Sequence, residues 1–232
     1  MSNHESATRE EICRIGASLY QRGYTVGSAG NISARLDDGW LITPTDACLG
    51  FLDPAWLAKV DAGGQPVSGA PPSKTLALHR RIYQASPGSR GIVHTHSTHL
   101  VALSLAGVWR ADEVIPPITP YQVMKVGPVP LIAYHRPGDP RVADLVAEQI
   151  GIAGTALGNA AAEQAPSIRA VLLERLGPVV WHDTVALAAA ALEELEETAR
   201  LWMMLRADPP KPLDAASVTE LRHGFGQQRT GP

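Results

Sequence analysis

The chain carries little sulfur. Its only two cysteines, Cys13 and Cys48, lie far apart and fit no metal-binding spacing. That excludes a disulfide scaffold and suits idle thiols in a reducing compartment. Aromatic residues are only 5% of the chain, and no Lys/Arg cluster is interleaved with them, so a nucleic-acid partner is not expected. No charge of one sign dominates, the formal net charge being -3. The N-terminal MSNHESATREE has no apolar export core. No apolar run spans a bilayer either, because TVALAAAALEELEE meets Glu193 and Glu194 too soon. A cytoplasmic protein without a membrane partner is the expectation.

Hydrophobic residues at 45% of 232 suffice for one well-buried core. Thr8 and Glu11 form a capping-box pattern before a helix marked by Ile12, Ile15, Gly16 and Leu19. The small-residue loop TVGSAGNIS leads into a hairpin, ISARL and WLIT about Asp38-Gly39. Ser73, after Pro71-Pro72, is placed to cap a helix over Lys74–Ala85. GIVHTH reads as a strand, followed by a short helix around Leu100–Leu105. The Pro-rich stretch from Ile115 to Asp139 reads as loop and edge strands. Asp139-Pro140 opens another helix, and GIAGTALGNAAAEQAP reads as small-residue filler. IRAVLLE and PVVWH form a second hairpin that feeds a long helix over Thr184–Arg206. On that helix Trp202, Met203 and Met204 suit an intersubunit contact. Residues 1–206 make one domain and 207–232 a loosely held Pro-rich tail. Hairpins mixed with helices imply an α/β fold, a mixed sheet covered by helices.

Three of the eight histidines fall within GIVHTHSTHL, residues 91–100. Positions i and i+2 of a strand share a face, so His94 and His96 can converge on one point, as a divalent metal requires. Two unrelated polar residues on a solvated strand face are the plainer alternative.

GSAGNIS (27–33), LITPTD (41–46), PPSK (71–74), VHTH (93–96) and LLERLGPVVW (172–181) together resemble the class II aldolase/adducin family over roughly residues 8–206. ITPYQVMKVGPVPLIAYHRPGDP is similar to its 3-oxo-tetronate 4-phosphate decarboxylase subgroup. The resemblance implies a three-layer α/β/α fold around a mixed, largely antiparallel sheet. It also implies a homotetramer with sites between subunits. A small-molecule substrate and a zinc ion held by His94, His96 and a third histidine are implied as well. Gly30, Asn31, Thr45, Ser73 and Lys74 then fall on ligand-holding positions, and Tyr121 near the reacting carbonyl.

Three positions depart from the family pattern. The acid/base carboxylate is replaced by Thr75, whose hydroxyl does not titrate near neutrality. The third metal ligand is replaced by Leu176, with Arg175 as a new charge beside it. The glycine of the phosphate loop is replaced by Asp46, an anion where an anion is to be held. The expectation is a divergent lyase, a decarboxylase or aldolase acting on a small oxygenated acid or sugar derivative. Its divalent metal (zinc, iron or manganese) would be weakly held or absent. His94, His96, Tyr121 and Thr75 are the candidate catalytic groups, and Arg175 and Asp46 join the candidate ligand-binding set. An inactive scaffolding member is one alternative. A metal-dependent oxygenase using His94, His96 and Asp46 as a facial triad is another. Asp46 capping its own loop through an Asx-turn, and Arg136 bracing Asp139, are the plainer readings of those residues.

Overall fold

The computed structural model describes residues 2–155 and 168–228, which puts most of the filler stretch outside the described residues. Eight strands form one sheet in the order β4-β3-β2-β1-β5-β8-β7-β6. These are β1 (Asn31–Arg35), β2 (Gly39–Ile42), β3 (Ala58–Asp61), β4 (Pro66–Ser68), β5 (Gly91–His94), β6 (Leu131–Ile132), β7 (Ala170–Leu173) and β8 (Gly177–His182). Every pairing is antiparallel except β6 with β7. The two expected hairpins, β1–β2 and β7–β8, flank β5 through β1 and β8.

Side-chain alternation sends successive strand residues to opposite layers. Ile32, Val93 and Val180 pack with Ile12 and Leu19 of α1 (Asn3–Gln21), Leu100 and Leu103 of α3 (Thr98–Ala106), and Leu192 and Leu195 of α6 (Val185–Met204). Ile92, Val179 and Trp181 face the other way, onto Leu78 and Ile82 of α2 (Leu76–Ala85) and Val146 of α5 (Arg141–Thr155). The result is the three-layer α/β/α arrangement. His94 follows Val93 and so faces the α2–α5 side. Among the described residues no helix is long and apolar enough to cross a membrane.

Several elements differ from expectation, each for a local reason. Helix α1 begins at Asn3, with Ser2 Oγ accepting from Glu5 N–H, so the Ser2-x-x-Glu5 pattern wins over Thr8-x-x-Glu11. Glu5 is buried and paired with Arg9 and Lys59, which anchors this extra turn to β3. Helix α2 begins at Leu76, with Thr75 at the N-cap position but making no side-chain cap bond, and Ser73 Oγ accepts from Thr75 N–H just ahead of it. Inside the Pro-rich stretch Thr119 caps a short helix, α4 (Pro120–Lys125), with proline at its first turn. The tail is not loose throughout. It carries α7 (Ala215–Gln228), Val218 is buried, and Leu213 N–H bonds to Pro117 O at 2.8 Å. Trp202 and Met203 pack against the core, and only Met204 of that trio is fully exposed.

Candidate active site

The end of β5 is held between two glycines. A Cβ on Gly30 (φ +84°) would lie 2.6 Å from His94 O, and one on Gly177 (φ +116°) would lie 2.3 Å from Thr95 O. The backbones on both sides thus approach too closely for any side chain, and both glycines have the left-handed φ that other residues resist. Glu196, buried on α6, accepts from His99 N–H and Leu100 N–H and fixes the start of α3 just beyond His96.

Between these braces the two imidazoles stand 5.0 Å apart, centroid to centroid, at the floor of a cavity of about 360 Å³. His94 is 5% exposed, and its Nδ1–H donates to Pro178 O at 2.8 Å. That bond leaves Nε2 as a bare lone pair. Burial, with His96 as neighbour, pushes the His94 pKa down to about 4, against the upward pull of the Pro178 carbonyl. Burial lowers that of His96 too. Both rings are neutral near pH 7. The reading of two unrelated solvated histidines is overturned.

Gly30, Asn31, Thr45, Asp46, Ser73, Lys74 and Thr75 all line the same cavity. So does Leu176, from the β7–β8 turn. Thr75 Oγ1 pairs with Ser73 Oγ at 2.9 Å. Asp46 sits at φ +57°, and its carboxylate accepts from Lys74 Nζ at 3.3 Å. It makes no Asx-turn bond among the described residues. No three His, Cys, Asp or Glu side chains among the described residues are grouped to hold an ion. The donor set stops at two imidazoles, since Leu176 brings none, and it does not complete a three-histidine zinc site.

Two predicted residues lie elsewhere. Tyr121 is exposed on α4 beneath Lys125 Nζ, outside this cavity. Arg175, at φ +67°, points along the surface beside Glu174. The turn Arg136-Pro137-Gly138-Asp139 also lines the cavity. Asp139 is braced by Arg141, not by Arg136: the Arg141 guanidinium and backbone N–H hold its carboxyl far below the usual range. Arg136 is thereby left to face the cavity. The Pro-Gly-Asp-Pro turn was the available signal.

A sheet of this order, with a His-x-His at the end of a central strand opening on a hydroxyl- and amide-lined cavity, defines a class II aldolase fold. The chain belongs to that family: the model for the Class II Aldolase and Adducin N-terminal domain matches residues 10–203. Its similarity to curated decarboxylases makes it an enzyme of the lyase class. It is 63% identical over 225 residues to a 3-oxo-tetronate 4-phosphate decarboxylase of Cupriavidus necator, covering 95% of this chain and 97% of that one. An Escherichia coli K12 protein of the same name is 45% identical over 219 residues, covering 94% and 96%. The crystal structure of YgbL from Escherichia coli superimposes with a TM-score of 0.84 at 44% identity, covering 95% of this chain and all of that one. An L-fuculose 1-phosphate aldolase shares the fold alone, with a TM-score of 0.77 at 21% identity over 97% of each chain.

Proposed function

We propose that this chain is a cytoplasmic lyase that decarboxylates a small 3-oxo acid bearing an anionic tail, with a divalent-metal site weakened by the loss of its third ligand. One observation carries the reading. Two neutral imidazoles share a cavity floor, and around them stand a lysine, an arginine, an amide and the hydroxyls of Ser28, Thr45, Ser73 and Thr75. Loss of CO₂ from a 3-oxo acid leaves its electron pair on the adjacent ketone as an enolate, and the site must supply hydrogen bonds where that charge develops. His96, neutral, donates its ring N–H to the ketone oxygen. His94 Nε2, a fixed lone pair, accepts the proton of a neighbouring hydroxyl. Lys74, Asn31 and the hydroxyls of Thr45 and Ser73 hold the anionic tail, and Arg136 meets the leaving carboxylate.

Thr75 cannot shuttle a proton as a carboxylate does, so proton return to carbon falls to a histidine or to water. In an oligomer with sites between subunits, exposed Tyr121 is free to serve a neighbouring copy's cavity. The test is CO₂ release from 3-oxo-tetronate 4-phosphate and from its unphosphorylated form. We expect His94→Ala to lower turnover by about 100-fold or more. Unchanged turnover in that variant, or no CO₂ from either compound with the wild-type chain, refutes the reading.

A further inference from the structure

Beneath the cavity runs a chain of buried polar groups of which the reaction above uses only Asn31. Strand alternation puts Asn31 and Ser33 of β1 on the α2 side of the sheet, and His79 and Tyr83, four apart, share the facing stripe of α2. All four are at most 6% exposed. His79 Nε2 lies 2.6 Å from Asn31 Oδ1, His79 Nδ1 lies 2.7 Å from Ser33 Oγ, and Ser33 Oγ lies 2.9 Å from the Tyr83 hydroxyl.

Counting hydrogens gives the row one direction. A carboxamide oxygen only accepts, so His79 Nε2 carries the proton. A neutral imidazole has one N–H, so Nδ1 is bare and Ser33 O–H must donate to it. Serine has one hydrogen, so Tyr83 O–H must donate to Ser33. Protonating Nδ1 as well would bury a cation with no carboxylate in this row. Burial, aided by the nearby His94, holds the ring neutral, with its pKa down near 3. The far end is clamped. The Tyr83 ring stacks on Trp40 at 5.8 Å, Arg35 lies over it at 4.8 Å, and Arg35 also donates to Tyr83 O.

We propose that His79 is a positioning residue: held as its Nε2–H tautomer by Ser33 and Tyr83, it pins the Asn31 amide so that the NH₂ is presented to the cavity beside His94. Asn31 lines that cavity and sits directly opposite His94 in the β1–β5 register. Its NH₂ has no hydrogen-bond partner among the described residues. A flipped amide would set NH₂ against Nε2–H, donor against donor. Flipping therefore requires the imidazole tautomer and two hydroxyls to reverse together, and the buried row resists that. The amide meets a ligand oxygen already oriented, without an ordering cost at binding.

The use of that NH₂ on a ligand rests on the anion-binding reading above, whereas the tautomer does not. Two measurements on the full chain separate them. In protein labelled with ¹⁵N-histidine at neutral pH, His79 should show a bare Nδ1 and a protonated Nε2. A proton on Nδ1 overturns the proposal. The second measurement is calorimetric binding of inorganic phosphate to His79→Leu, Asn31→Ala and the double variant. Each single change should weaken binding about tenfold, the double change no further, and His79→Gln should recover part of the loss through its own N–H. Multiplying effects, or no rescue by His79→Gln, refute the role of His79 in holding Asn31. If the wild-type chain binds no phosphate, the anion reading fails, and the nitrogen shifts alone decide the tautomer.

Discussion

Restoring the two missing groups should restore metal binding. In Thr75→Glu with Leu176→His, a carboxylate and a third imidazole join His94 and His96, since both altered positions already line the cavity. The magnitude follows from mass action. A ligand present at about 100 times its Kd stabilises the native state by about 2.7 kcal/mol, and one present near its Kd by about 0.4 kcal/mol. For a domain of this size each kcal/mol moves Tm by about 2–4 °C. Zinc should therefore raise the Tm of the double variant by about 5–11 °C under conditions where the wild-type chain, with two donors, moves by only about 1 °C. The assay is thermal unfolding with and without zinc, paired with metal retained after gel filtration of untagged protein. Equal zinc responses would show that residues 75 and 176 do not address the same point as the histidine pair. The carry-over of family positions to this chain would then be wrong.

Gly177→Ala should destabilise by about 2 kcal/mol or more, because its Cβ would meet Thr95 O at 2.3 Å in a backbone already at φ +116°. Urea midpoints check this, and an unchanged midpoint would mean the β7–β8 turn is not braced against the histidine strand. Acid should also destabilise the fold through the two buried imidazoles, whose pKa values burial lowers to about 3 for His79 and about 4 for His94. Depressed histidines contribute stability that is whole above the unfolded pKa of about 6.5. It is lost as pH falls, by about 1.4 kcal/mol per pH unit for each ring, until the folded pKa is reached. His79→Gln should halve that slope between pH 6 and about 4.5, and an unaltered slope would mean His79 does not resist protonation.

Much of this protein was legible in the sequence because the signals are local. The hairpin about Asp38-Gly39, the long helix after Asp183 and the alternation through Ile92-Val93-His94 depend on neighbours a few residues away, and the structure agrees with each. The sharing of one cavity by Asn31, Thr45, Ser73, Lys74 and His94 was accessible through the family resemblance, not through spacing. Where reading failed, the folded geometry decided. The distant Lys59 lies beside Glu5 and lengthens α1, and at the start of α5 it is the near neighbour Arg141 that takes Asp139 and leaves Arg136 facing the cavity.

The sequence by itself determined which chemistry is on offer: a His-x-His at the end of a strand, with His96 just past β5, and a threonine and a leucine where a carboxylate and an imidazole are expected. Only the tertiary structure decided which atoms are available. Pro178 takes the Nδ1 proton of His94, Lys74 takes Asp46, and the buried row from Tyr83 to Asn31 turns an amide toward the cavity. The reason is physical. Composition and periodicity settle which face a side chain occupies, but donors and acceptors are assigned by counting hydrogens among groups that only the folded chain brings together.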